Sequence, residues 1–357
     1  MPETLEINLP IHHIILEDIS SIISNQKIKW DKLQSKTVLI TSASGLIGSY
    51  LVYSLLGLNE VKNTNIKILA LVRNRSKAEK QFGKLLERDD IILIDKDVTE
   101  SIFYNDRIHY IIHAASLVSR NDFTGNPVNV ISVNVNGTWN MLELAREKEV
   151  EGFLYLSSRE IYGETATDKR FIKEDDYGAV NPTLVRSCYP ESKRMAENLC
   201  ACYSHQYSMP VTIARLGHVY GPEYSLASGR VWEEFIQMAV AGKDIVLNSD
   251  GKTELALTYV ADAVSGLFFT LLNGDDLVYN ISNTSEIVTV RGLAELVASL
   301  CLDKDLRVVV DIPEDRCGYL QNRVAFLDSE RINILGWRWI TSCSRGFKNT
   351  LLFITHK

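Results

Sequence analysis

The sequence predicts an α/β protein: a doubly wound, mostly parallel sheet followed by a smaller C-terminal α/β lobe. Three observations carry that class. Short β-rich runs alternate with helical patterns from residue 37 to residue 221, and repeated alternation of this kind implies βαβ units. The β-rich runs are continuously apolar, as parallel strands covered on both faces are. The first strand passes into the first helix through a turn with two glycines, Gly45 and Gly48.

The elements follow in order. Residues 1–36 read as an N-terminal extension, with helical apolar spacing over 14–23 and a polar stretch leading to the first strand. Residues 37–222 read as one α/β unit of alternating strands and helices. Its expected strands are 37–43, 66–72, 91–98, 108–116, 152–158 and 211–221, and its expected helices are 48–58, 78–86, 128–148 and 189–207. Residues 223–357 read mainly as a smaller second lobe, interleaved with chain that returns to the first unit. It is expected to hold a helix at 228–240, a pair of strands around a turn at 243–260, a helix at 291–302 and a strand at 307–312.

Composition bounds the function. The 357 residues are 46% hydrophobic and 23% charged, an ordinary globular balance. A net charge of -7 argues against a protein that grips nucleic acid, which shows a basic footprint. No apolar run reaches the ~18 residues of a membrane span. The N-terminal MPETLEINLP lacks the apolar core of a signal peptide, so a cytoplasmic protein is expected. The six cysteines show no paired zinc spacing and the seven histidines include no HExxH, so no metal site is expected and the cysteines read as free thiols.

The turn Thr41-Ser42-Ala43-Ser44-Gly45-Leu46-Ile47-Gly48 is the candidate phosphate cradle. Gly45 lets backbone approach a pyrophosphate, and Gly48 lets the helix pack close to the strand. The helix N-terminus supplies free N–H groups and partial positive charge. Ser42, Ser44, Gly45, Leu46, Ile47 and Gly48 are therefore candidate cofactor contacts. The second strand ends Val72-Arg73-Asn74-Arg75. An acid there would bond a ribose 2′-hydroxyl, whereas an arginine accommodates a 2′-phosphate, so Arg73 leans toward NADP over NAD. Asp97 and Val98 are placed to meet the adenine edge, and His113, Ala114 and Ala115 end the fourth strand beside the cofactor ribose.

Tyr189 and Lys193 lie four apart at the start of a helix, on one face. An ammonium beside a phenol favours phenolate and makes tyrosine usable as an acid or base. Ser158, at the end of the preceding strand, can hold a substrate hydroxyl while Tyr189 takes its proton.

With these pieces the chain resembles the extended short-chain dehydrogenase/reductases, the NAD-dependent epimerase/dehydratase family acting on nucleotide sugars, over roughly residues 37–345. The matching motifs, in order, are Thr41–Gly48, His113–Ala115, Asn134-Val135-Asn136-Gly137-Thr138, Ser157–Gly163, Tyr189–Lys193, Arg215–Pro222, Tyr259–Asp262 and Leu335-Gly336-Trp337. The stretch Arg186–Arg194 is most similar to the UDP-glucuronate decarboxylase branch. The resemblance implies a Rossmann domain holding NAD or NADP and a C-terminal lobe closing over a nucleoside-diphosphate sugar. Ser158, Tyr189 and Lys193 take the family's catalytic places, and Glu160 takes that of the carboxylate assisting decarboxylases and dehydratases. Arg159 stands where water-eliminating dehydratases carry an acid. Three positions depart from the family pattern: Ser42 replaces its first glycine, His218 its usual Asn, and Leu255 the arginine that commonly meets the diphosphate. Ser119, Arg230 and Arg316 remain as candidate substrate contacts.

The resemblance also implies a homodimer through the helices at 128–148 and 189–207, with Met195, Leu199, Cys202 and Tyr203 as the outward stripe. Two other functions stand beside the lead reading. One is an NADPH-dependent reductase of a nucleotide-linked keto sugar, favoured by Arg73. The other is a non-catalytic dinucleotide-binding regulatory protein, disfavoured by the intact Ser158, Tyr189 and Lys193.

Overall fold

The structure, a computed structural model, describes residues 5–165, 169–222, 226, 229–301, 305–312 and 325–356. In chain order the first half runs α1 (His13–Ile23), β1 (Thr37–Thr41), α2 (Leu46–Lys62), β2 (Lys67–Val72), α3 (Arg75–Phe82), β3 (Ile91–Asp95), β4 (Tyr110–His113), α4 (Arg120–Gly125), α5 (Pro127–Glu147), β5 (Gly152–Ser158), β6 (Phe171–Ile172) and α6 (Cys188–Tyr207). The second half runs β7 (Val211–Leu216), β8 (His218–Tyr220), α7 (Val231–Val240), β9 (Ile245–Leu247), β10 (Glu254–Tyr259), α8 (Val260–Asn273), β11 (Val278–Ile281), β12 (Ile287–Thr289), α9 (Val290–Ser299), β13 (Val308–Val310), β14 (Phe326–Leu327), α10 (Glu330–Leu335) and α11 (Cys343–Thr355).

A seven-stranded sheet in the order β11-β7-β5-β4-β1-β2-β3, parallel throughout, forms the centre. Every residue of β1 and β4 is buried, which is why these strands read as unbroken apolar runs. The chain winds outward from β1 in both directions, through β2 and β3 on one side and β4, β5 and β7 on the other. The switch point between β1 and β4 is where doubly wound sheets bind ligands, outside the strands' carboxyl ends.

The segment ahead of β1 is woven into the core. Ile15, Ile19, Ile22 and Ile23 of α1 are buried in the largest apolar cluster, and α1 packs on α2 and α8. Asp18 sits inside this contact and accepts from the Tyr50 hydroxyl at 2.8 Å and from Tyr259 at 2.6 Å. Burial, the largest influence, raises its pKa to about 7 against the two phenol hydrogen bonds.

Two sequence expectations change in the second half. The strand expected over 211–221 is two strands in two sheets: β7 pairs with β5 and β11, and β8 pairs with β10. Gly217 is the crossing, where a Cβ would lie 2.8 Å from Ser282 Oγ. The two strands expected around a turn in 243–260 are present but do not pair with each other. β9 pairs in parallel with β13, while β10 pairs with β8 and antiparallel with β12. On α6, Met195 and Cys202 are exposed and Leu199 is half-buried, but Tyr203 turns inward, its hydroxyl bonded to Glu143. The expected outward stripe is therefore narrower by that residue. No helix among the described residues is long and apolar enough to cross a membrane.

Candidate active site

A buried hydrogen-bond chain locks the switch point. Thr41 Oγ1 accepts from the amides of Ala114 and Ala115, both at 2.9 Å. Its own proton is thereby left for His113 Nδ1, 2.9 Å away. The ring then carries hydrogen on Nε2 and donates to Thr138 Oγ1 at 3.2 Å, which donates to the Asn134 carbonyl at 2.5 Å. Burial, then the Lys193 charge, pulls the His113 pKa down to about 3, so the neutral tautomer is fixed. Both ring nitrogens are spent inside the protein, and His113 serves as a latch between β1, β4 and α5. Ala114, half-buried, is the small residue it leaves at the sheet's edge.

The turn from β1 into α2, the candidate phosphate cradle, is tight, at a cost. Ser42, at the family's glycine position, adopts φ 54°, a left-handed conformation that costs a non-glycine residue about 1–2 kcal/mol. Its carbonyl accepts from the Gly45 amide at 2.9 Å. A Cβ on Gly48 would fall 2.2 Å from that carbonyl oxygen, so only glycine lets α2 lie this close. Gly45 caps α2, whose first turn holds no acid, and Ser44, Leu46 and Ile47 are half-buried around it. Arg73 is exposed just past β2. No carboxylate among the described residues pairs with it, whereas Arg75 pairs with Glu79 at 2.8 Å. Asp97 folds onto itself as a turn, accepting from the Thr99 amide and hydroxyl at 2.9 and 2.7 Å. Val98 is buried, and its carbonyl accepts from Asn140 at 2.9 Å.

The residues expected to carry the chemistry meet at the ends of β4 and β5. Tyr189 is buried, its ring 4.8 Å from that of Phe123. Burial raises its pKa most; its hydrogen-bond contacts with the Ser158 and Ser116 hydroxyls and the Arg230 charge lower it, and the Glu160 charge raises it. Ser116 was not singled out in the sequence. Its Oγ donates to Asn134 Oδ1 at 2.8 Å, Asn134 Nδ2 donates to Ser192 Oγ at 2.9 Å, and Ser192 Oγ donates to the Tyr189 carbonyl at 3.0 Å. This loop ties the phenol, the start of α6 and the middle of α5 together. The only sequence signal for it was the Asn134–Thr138 motif.

Lys193 departs from the simplest expectation. Its ammonium donates to the Leu156 carbonyl at 2.8 Å and lies 4.7 Å from the Tyr155 ring centre. Burial lowers its pKa to about 7, with Glu197 and Cys200 opposing. Burial, not the lysine, dominates the Tyr189 pKa. Below Lys193, Glu197 is clamped by Arg215 through Nε at 3.0 Å and Nη2 at 2.7 Å.

Ser158 Oγ accepts from the Glu160 amide at 3.2 Å. The Glu160 carboxylate pairs with Arg186 at 3.1 Å, whose guanidinium stacks 4.4 Å from Phe123. Arg230 lies 5.5 Å over Trp232 and donates to the Val219 carbonyl at 3.4 Å. Ser119 caps α4 by accepting from the Asn121 amide. Leu255 is buried in the main apolar cluster and holds no place at the site. Arg316 lies outside the described residues.

Residues 38–282 match the NAD dependent epimerase/dehydratase family. The chain is 34% identical over 280 residues to UDP-glucuronic acid decarboxylase 6 of Arabidopsis thaliana, covering 78% of each. It is 28% identical over 323 residues to UDP-glucuronic acid decarboxylase 1 of Danio rerio, covering 90% of this chain and 73% of that one. Among solved structures, a UDP-glucose 4-epimerase with UDP-glucose from Thermotoga maritima superposes with a TM-score of 0.76 at 22% identity, covering 90% of this chain and 99% of that one. A dTDP-glucose 4,6-dehydratase from Bacillus anthracis in complex with NAD gives 0.72 at 21% identity, covering 90% and 97%. At these identities the two structures establish the shared fold.

Proposed function

The chain belongs to the NAD-dependent epimerase/dehydratase family, and we propose that within it the protein decarboxylates a UDP-linked uronic acid by transient oxidation of a sugar hydroxyl. The observation that carries this reading is the placement of the buried Tyr189 phenol between the Ser158 and Ser116 hydroxyls, within reach of the Glu160 charge. The resemblance to UDP-glucuronic acid decarboxylases at 28–34% identity supports the substrate class.

A nicotinamide dinucleotide fits the residues at the switch point: a helix N-terminus free of acid, and a Gly48 approach that any side chain would block. When bound, it accepts hydrogen from the sugar carbon and can return it. Ser158 orients the reacting hydroxyl and Tyr189 takes its proton. The ketone so formed lies β to the carboxylate. The C–C bond then breaks, its electrons move toward the ketone oxygen, and CO₂ leaves. Tyr189 returns the proton to that oxygen. Burial holds the proton on the Tyr189 phenol most strongly; the Glu160 charge adds to that, and the Ser158 and Ser116 hydroxyls and the Arg230 charge oppose it. Glu160, paired with Arg186 at 3.1 Å and felt as a charge at Tyr189, is the carboxylate that would assist at the neighbouring sugar carbons.

Incubating the purified protein with NAD⁺ and UDP-glucuronate should release CO₂ and yield a UDP-pentose or its 4-keto form by mass spectrometry. Absence of CO₂ at enzyme-stoichiometric substrate would refute the assignment. A second reading, net NADPH-dependent reduction of a nucleotide-linked keto sugar, is favoured by the exposed Arg73; it requires one NADPH consumed per alcohol formed. The proposal extends to a homodimer through α5 and α6, supported by exposed Val128, Ile131, Trp139 and Met195 on these two packed helices.

A further inference from the structure

We propose that Arg159, aimed by His218, is a specificity-determining residue that binds an anionic oxygen pair of the substrate, the sugar carboxylate or the diphosphate. The inference rests on the nucleotide-sugar reading above, which supplies the substrate class.

Arg159 sits between Ser158 and Glu160 in sequence, and its side chain runs toward β8. There Nη1 lies 3.0 Å from His218 Nε2. A guanidinium only donates, so His218 Nε2 must accept, and the ring is neutral with its hydrogen on Nδ1. Trp232 meets that ring edge-on at 5.4 Å and fixes its plane. The group that aims Arg159 therefore adds no negative charge to cancel it.

The remaining donors are poorly served. Among the described residues, Nη2 reaches only the Ala325 carbonyl, at 3.5 Å. No carboxylate among the described residues forms an ion pair with Arg159. Its neighbour Glu160 is engaged by Arg186 at 3.1 Å. Desolvation lowers the Arg159 pKa, and Glu160 only partly opposes this. Holding a half-buried cation without a counter-ion is costly, and its planar fork matches a carboxylate or phosphate.

A second cation repeats the arrangement. Arg230 lies on the same Trp232, with the Val219 carbonyl as partner and no described carboxylate. Two cations without described acidic partners thus flank one neutral His–Trp pair, and the Arg230 charge is felt at Tyr189. His218 stands where the family usually has Asn and Arg159 where water-eliminating dehydratases carry an acid, and the structure couples the two physically.

The test is calorimetric titration of NAD⁺-loaded wild type and Arg159→Gln with UDP-glucuronate, UDP-xylose and UDP, with melting temperature and bound NAD as fold controls. Charge-assisted bonds of this kind are worth about 10- to 100-fold in affinity. A loss of that size confined to UDP-glucuronate assigns Arg159 to the carboxylate. An equal loss for all three at unchanged melting temperature assigns it to the diphosphate. Unchanged affinity for all three overturns the proposal. Wild type that binds none of the three refutes instead the nucleotide-sugar reading, before any variant is compared. If Arg159→Gln does not fold, Arg159→Lys, which keeps the charge but loses the fork, should still weaken the same ligand several-fold, and no change there overturns the proposal equally.

Discussion

Replacing Tyr189 with Phe removes one oxygen from the centre of the site, and the structure sets what else should change. The ring packing on Phe123 at 4.8 Å is retained. The two hydroxyls that lose the phenol keep other partners: Ser116 still donates to Asn134, and Ser158 still accepts from the Glu160 amide. No buried polar group is orphaned, so the usual desolvation penalty of about 1–3 kcal/mol does not arise. Stability should stay within about 1 kcal/mol of wild type. Catalysis loses its only phenol at this position, and positioned acid–base groups contribute about 10²–10⁴-fold. CO₂ release from UDP-glucuronate should therefore fall by at least a hundredfold while bound NAD and melting temperature hold. Turnover within a few-fold of wild type would remove Tyr189 from the chemistry. Loss of bound NAD together with activity would show that the phenol is a structural support.

Other perturbations test the frame. Gly48→Ala drives a Cβ to 2.2 Å from the Ser42 carbonyl; overpacking of about 1–3 kcal/mol should lower the melting temperature and the NAD affinity together, and an unaffected affinity would place the phosphates elsewhere. Arg73→Asp should weaken NADP binding far more than NAD binding in a direct titration, and equal effects would remove Arg73 from the ribose. Asp18 has a folded pKa of about 7 against an unfolded 3.8, so the folded state holds its proton longer and this residue's contribution falls as pH rises between those values. Asp18→Asn escapes that loss: its melting temperature relative to wild type should climb from pH 4 to pH 7 and then level off, and a flat difference contradicts the burial argument. Light scattering should give a mass near twice 40.3 kDa, and Met195→Glu should halve it without unfolding; a wild-type monomer excludes the interface.

The sequence determined by itself whatever depends on neighbours in the chain. The apolar runs of β1, β2, β4 and β5 declare buried parallel strands because each residue's surroundings repeat along the run. The tight turn from β1 into α2 is legible because the close approach at Gly48 is a local backbone demand, whereas the positive φ at Ser42 is seen only in the structure. Tyr189 and Lys193 are legible because one helical turn fixes their shared face. Tertiary structure decided what depends on partners far along the chain. Which strands β9 and β10 pair with, and that Gly217 carries one strand out of the large sheet, follow from packing between segments that share no local pattern. The inward turn of Tyr203 toward Glu143 reflects a choice of neighbour that helical spacing leaves open. Ser116, reaching Asn134 and Tyr189, and Arg159, reaching His218 across 59 positions, become visible only when β4, β5, α5 and β8 are brought together. Hydrogen bonds and burial act through space, and only the folded chain brings these groups within a few ångströms.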